Sequence, residues 1–165
     1  MTRSGRDRLS GLMRRFGAQC WIDEHGIAIA RYAPTLPHWP ADLPLRIAML
    51  SDFHFAEPWM GRQAVEYIVE KTNALQPDII LLLGDFEEGP RFSRPISAPE
   101  WAPLLAPLSA PLGVHAVLGN HDYPRLDRKR HRAVARPAAL DALERVGIKA
   151  YVNQASRLSW QGKPF

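Results

Sequence analysis

The sequence predicts an α/β fold built on a parallel sheet, and three observations predict it. Four short apolar runs, residues 45–50, 79–83, 114–118 and 148–152, are rich in Ile, Leu and Val and too short for globular helices, as strands buried in a parallel sheet are. Stretches of helical spacing connect them. A polar cluster closes each of the first three runs, and in such sheets chemistry gathers outside the carboxyl ends of the strands.

The formal net charge of +4 belongs to the first fifteen residues, where Arg3, Arg6, Arg8, Arg14 and Arg15 face only Asp7. The body is neutral, whereas a nucleic-acid binder spreads basic residues over a docking face, so nucleic acid is disfavoured as a partner. Leu9, Leu12, Met13 and Phe16 fall on one helical face, while Arg14 and Arg15 interrupt any signal-peptide core. Residues 1–20 therefore form a basic N-terminal segment, expected to pack as a helix on its own domain, with peripheral contact to an anionic membrane as the alternative. The lone Cys20 excludes a disulfide within the chain and suits a reducing, cytoplasmic compartment. No apolar run approaches the roughly 18 residues of a membrane span.

Residues 21–32 read as a hairpin, with Asp23, Glu24, His25 and Gly26 as its turn. Pro34, Pro37, Pro40 and Pro44 then forbid regular structure, marking a surface linker inside one domain. Val65, Ile68, Val69, Thr72 and Leu75 share a face of a helix over residues 61–75, which ends near Pro77. Ser97 and Glu100 have capping-box spacing before Trp101, Leu104, Leu105 and Leu108, and Pro103 and Pro107 shorten or break that helix. Leu140, Leu143 and Val146 lead to Gly147 as the C′ residue of a third helix.

At the three strand ends stand Ser51, Asp52, Phe53 and His54; Gly84, Asp85 and Phe86; and Gly119, Asn120, His121 and Asp122. Adjacent strands lie about 4.8 Å apart, so ligands from these ends can surround two ions roughly 3.5–4 Å apart. Asp52 and His54, two residues apart on an extended segment, can chelate one ion. Asp85, behind a glycine that permits a tight turn, is the natural bridge. Asn120 offers a carbonyl oxygen to the second ion, and His121 can reach a substrate oxygen. Mixed carboxylate, imidazole and amide ligands suit Mn²⁺, Fe or Zn²⁺. Asp122 could orient His121 or cap a helix. His25, His38, His115 and His131 close no strand in this pattern and read as ordinary histidines.

Asp-x-His, Gly-Asp and Gly-Asn-His-Asp in this order resemble the calcineurin-like metallophosphoesterases from about residue 27 onward. Residues 45–52, 77–80 and 113–123 are similar to a bacterial branch whose members include membrane-associated enzymes and UDP-acylsugar pyrophosphatases. The resemblance implies a metallophosphoesterase-type β-sandwich flanked by helices, two divalent metal ions and a phosphate-ester substrate. Asp52, His54, Asp85 and Asn120 are then metal ligands, Asp85 and His121 the catalytic pair, and Asp122 a supporting residue. The family pattern continues with a later histidine and a Gly-His-x-His element, and this chain has neither. Residues 21–165 are therefore expected to be the N-terminal half of such a domain. The expected function is metal-dependent hydrolysis of a phosphomonoester, phosphodiester or pyrophosphate, in the cytoplasm or peripheral to the inner membrane. The alternative is a non-catalytic partial domain binding metal weakly or not at all. The basic run from Arg125 to Arg136 flanks the third strand end and would attract a phosphate-bearing substrate.

Overall fold

The structure, a computed structural model, describes residues 19–22, 27–123 and 136–165. The chain divides into two compact units, Met1–Leu43 and Pro44–Phe165. That division falls among the prolines, which sequence alone reads as a linker within one domain. In the first unit, β1 (Gln19–Ile22) and β2 (Ala28–Arg31) pair antiparallel, Cys20 opposite Ala30. This is the expected hairpin; its turn and the apolar stripe from Leu9 to Phe16 lie outside the described residues.

The second unit runs β3 (Ile47–Leu50), β4 (Ala56–Glu57), α1 (Arg62–Ala74), β5 (Ile79–Leu82), β6 (Arg94–Pro95), α2 (Ala98–Leu105), β7 (Val114–Val117), a 3-10 turn (Asn120–Asp122), α3 (Ala138–Arg145), β8 (Lys149–Tyr151), β9 (Ser159–Trp160) and β10 (Lys163–Pro164). Strands β3, β5, β7 and β8 form one parallel sheet in that spatial order, flanked by helices. Two short ribbons, β4 with β6 and β9 with β10, are antiparallel. The three strand ends singled out by sequence therefore sit side by side.

Register decides which face is buried. Ala48 lies opposite Ile80, Leu50 opposite Leu82, Leu82 opposite Ala116, and Ala116 opposite Ala150; paired residues share a face of the sheet. That face packs into one core with Val65 and Val69 of α1, Trp101 and Leu105 of α2, and Ala139 and Leu143 of α3. Each helix begins and ends as its sequence dictates. The Ser97 backbone N–H donates to Glu100 Oε2 at 3.0 Å, and α2 stops at Leu105 after Pro103, short as expected. Beyond α3, Gly147 adopts φ +80 and donates to Glu144 O at 3.1 Å, while Ile148 donates to Leu143 O at 3.0 Å. This is the Schellman pattern, with Leu143 and Ile148 buried together.

The register that buries one face sends the alternate residues to the other. Ile47, Met49, Leu83 and Val117 are 49%, 62%, 45% and 41% exposed, a contiguous apolar band across three strands. At about 25 cal/mol per Å², covering such a face is strongly favourable. We predict that the 165-residue polypeptide alone binds a hydrophobic dye such as ANS and self-associates. A monomer that melts cooperatively without binding dye would show that this face is covered.

Candidate metal centre

Pairing between β3 and β5 continues past the strand ends: Asp52 N donates to Gly84 O at 3.0 Å, His54 N to Asp85 O at 3.0 Å, and Phe55 N to Phe86 O at 2.8 Å. The backbone here is not extended, as the sequence suggested. Asp52 and His54 have φ of +57 and +46, a region costly for non-glycine residues. The alternation survives even so. Phe53 and Phe55 are buried while Asp52 and His54 stay accessible.

The buried partners form an aromatic stack that ties the loops to the core. Phe53 lies on Phe55 with centroids 5.0 Å apart, Phe55 on Trp101 at 4.9 Å, and Phe86 on Trp101 at 5.0 Å. Each such pair contributes about 0.5–1.5 kcal/mol beyond its area. Every second residue of the ligand segment is thus held from below, so ordering the ligands is a consequence of packing the core.

The structure brings Asp52, His54 and Asp85 together, one ligand atom from each lying within 4.8 Å of the others. The histidine's state suits a metal. His54 Nδ1 is 2.9 Å from the carbonyl oxygens of Glu87 and of Glu88, which can only accept, so Nδ1 carries the proton and Nε2 presents its lone pair. Ser51 Oγ donates to Asp52 Oδ2, and His121 N donates to Asp85 Oδ1 at 3.0 Å. Two oxygen donors and one imidazole nitrogen fit a borderline divalent cation.

Two glycines let the loops approach. Gly84 has φ +91, and a Cβ there would lie 2.1 Å from Gly119 N; a Cβ on Gly119 would lie 2.1 Å from Asp85 Oδ1. Any side chain at either position would push the second loop away from Asp85. The glycines that open the second and third motifs therefore have a steric reason.

Asp122 is 1% exposed. Its carboxylate accepts four backbone N–H groups: Asp85 at 2.9 Å, Phe86 at 2.7 Å, Glu87 at 3.1 Å and Gly119 at 2.8 Å. The sequence left it between orienting His121 and capping. Its bonds show a third role, with the Gly119 contact as its capping part: it joins the loop after β5 to the loop after β7.

His121 Nδ1 is 2.7 Å from Glu88 Oε2, and its ring stands edge-on to His54, centroids 5.0 Å apart at 78°. The Glu88 hydrogen bond raises the His121 pKa, with the charges of Asp85, Glu88 and Asp122 adding to it. Burial raises the Glu87 carboxyl, and Asp122 and Glu88 push it the same way. Asn120 is exposed and opens the 3-10 turn beside His121. Glu88 escaped the sequence reading because an acidic pair in a loop is ordinarily solvated.

His115 is satisfied by Tyr151 Oη at 2.8 Å and Leu112 O at 2.7 Å, and His38 is exposed. His25, His131 and residues 124–135 lie outside the described residues. Arg136 pairs with Asp141 and Glu144.

No helix among the described residues is long and apolar enough to cross a membrane. The chain is 32% identical over 107 residues to a zebrafish "Transmembrane protein with metallophosphoesterase domain", covering 65% of this chain and 23% of that protein. It is 45% identical over 78 residues to a Caenorhabditis elegans protein named as a metallophosphoesterase, covering 47% of this chain and 15% of that one. A bovine protein with the zebrafish protein's name is 32% identical over 85 residues, 51% of this chain and 18% of the relative. The chain thus spans less than a quarter of the length of these relatives. The family model described as calcineurin-like phosphoesterase matches residues 45–161; with the Asp-x-His, Gly-Asp and Gly-Asn-His-Asp motifs at adjoining strand ends, the chain belongs to the calcineurin-like phosphoesterase family.

Proposed function

We propose that this chain supplies ligands of a two-metal site that hydrolyses a phosphate ester or pyrophosphate. The observation that carries the reading is the convergence of Asp52, His54 and Asp85 beside His121. Asp52 and His54 would hold one ion and Asn120 the other, with Asp85 the residue that would serve both. Divalent ions, when bound, lower the pKa of water and neutralise phosphoryl charge. His121, kept protonated to higher pH by Glu88, stabilises charge on the phosphoryl oxygens or protonates the leaving oxygen. Asp122 fixes the backbone from which Asp85 and His121 project.

The narrower reading, a UDP-acylsugar pyrophosphatase of bacterial type, has the text of residues 45–52, 77–80 and 113–123 in its favour. The relatives found are animal proteins, so the substrate class proposed is the broader one. A cytoplasmic site peripheral to a membrane, contacted through the basic N-terminal segment, belongs to the same reading. A partial domain that binds metal weakly is the second reading. It is favoured by the single His and carboxylate cluster among the described residues and by the small share of each relative that the chain covers.

In the full-length protein, Asp85→Asn is expected to abolish both metal retention after dialysis and turnover of bis(p-nitrophenyl) phosphate. His121→Ala is expected to lose turnover by about 10²–10⁴-fold with metal content unchanged; wild-type turnover in either variant would sink the assignment. In the metal-free chain His121 should titrate above an ordinary histidine by NMR, remaining protonated as pH rises through the usual value. Glu88→Gln should bring that titration down, and an unmoved curve would remove Glu88 from the account.

A further inference from the structure

The ribbon that begins two residues after His54 carries two of the most exposed aromatic side chains in the described chain. Trp59 is 67% exposed and Phe92 fully so. Glu57 of β4 lies opposite Arg94 of β6, so Trp59, two residues beyond, and Phe92, two residues before, leave the same end of the ribbon. The segment preceding β6 packs closely on β4: a Cβ on Gly89 would lie 2.3 Å from the Ala56 Cβ and 3.5 Å from His54 O.

Phe92 occupies a turn closed by Ser93, whose N–H donates to Pro90 O at 3.2 Å and whose hydroxyl donates to the same oxygen. Its φ is +67, a position where glycine is free of strain and a bulky side chain is not. Packing among the described residues is not the reason, because none of them covers the ring. Prolines 58, 90 and 95 stiffen both loops, so little entropy is lost on docking. Arg91 and Arg94, one residue before and two after Phe92 in sequence, are exposed. Arg94 also acts on Glu100, and the Glu57 carboxylate folds over Gly61 at the start of α1.

We propose that this tip docks on an anionic lipid bilayer, Trp59 and Phe92 entering the headgroup layer and Arg91 and Arg94 meeting lipid phosphates. Aromatic rings beside arginines are the combination such an interface selects. On the phosphoesterase reading of the metal centre, on which this consequence rests, docking presents that centre with phosphate esters of the headgroup layer.

The test is co-sedimentation of the full-length, metal-free protein with phosphatidylcholine vesicles containing or lacking phosphatidylglycerol. Binding is expected only with phosphatidylglycerol. Phe92→Gly should leave the melting temperature equal or higher, by relieving φ, yet weaken vesicle partition by at least about tenfold, the order that burial of one aromatic ring carries. Arg91→Glu with Arg94→Glu should remove the dependence on phosphatidylglycerol. The proposal is overturned by binding that survives Trp59→Ser with Phe92→Gly, including the case in which Arg3→Glu with Arg6→Glu and Arg8→Glu abolishes it instead. Hydrolysis of soluble p-nitrophenyl phosphate, bis(p-nitrophenyl) phosphate and a nucleoside-diphosphate sugar, assayed in parallel with metal, tests the phosphoesterase reading separately: failure on all three counts against that reading and leaves the vesicle result standing.

Discussion

Four backbone N–H groups converge on the buried carboxylate of Asp122, and the geometry of the metal centre depends on that convergence. Two loops from neighbouring strands present amide donors that neither helix nor sheet can satisfy, and buried donors without partners cost about 1–3 kcal/mol each. One side chain satisfies them and ties the loops together. Asp85 is fixed at both ends as a result, its backbone by Asp122 and its carboxylate by the His121 N–H.

The same loops are coupled to the hydrophobic core. Phe53, Phe55 and Phe86 alternate with or follow the ligand residues; Phe53 stacks on Phe55 and Phe86, and these two stack on Trp101. Trp101 is wholly buried, and its Nε1 has no hydrogen-bond partner among the described residues. The core thereby accepts an unsatisfied donor at the place where it supports the site. Left-handed backbone at Asp52, His54, Asp85 and Glu88 is a further local cost. It is retained because pairing, stacking and the Asp122 bonds together over-determine the loop.

What the sequence displayed and what it concealed differ in range. The four strands, the capping pair Ser97 and Glu100, and Gly147 are local signals, and each was legible. The glycine before Asp85 was legible as permissive, but that it faces Gly119 follows only from β5 pairing with β7. Asp122 was left between orienting His121 and capping a helix because its four partners are spread over two loops in sequence. Glu88 was hidden for a like reason, its partner lying 33 residues away. The extended conformation expected at Asp52 to His54 gave way to tertiary pairing with Gly84 and Asp85. The division at Leu43 was masked by prolines, which mark a linker and a boundary alike.

The central claim is that a residue outside the ligand set organises the metal centre, and the most direct test is Mn²⁺ affinity of the full-length protein with Asp122 intact or replaced by Asn. Asn can accept fewer of the four N–H groups, so the account predicts affinity lower by roughly 10–100-fold, the range for loss of a residue supporting metal ligands, with the wild-type far-ultraviolet circular dichroism retained. Unchanged Mn²⁺ affinity in the variant, or no Mn²⁺ binding by the wild-type protein, would contradict it.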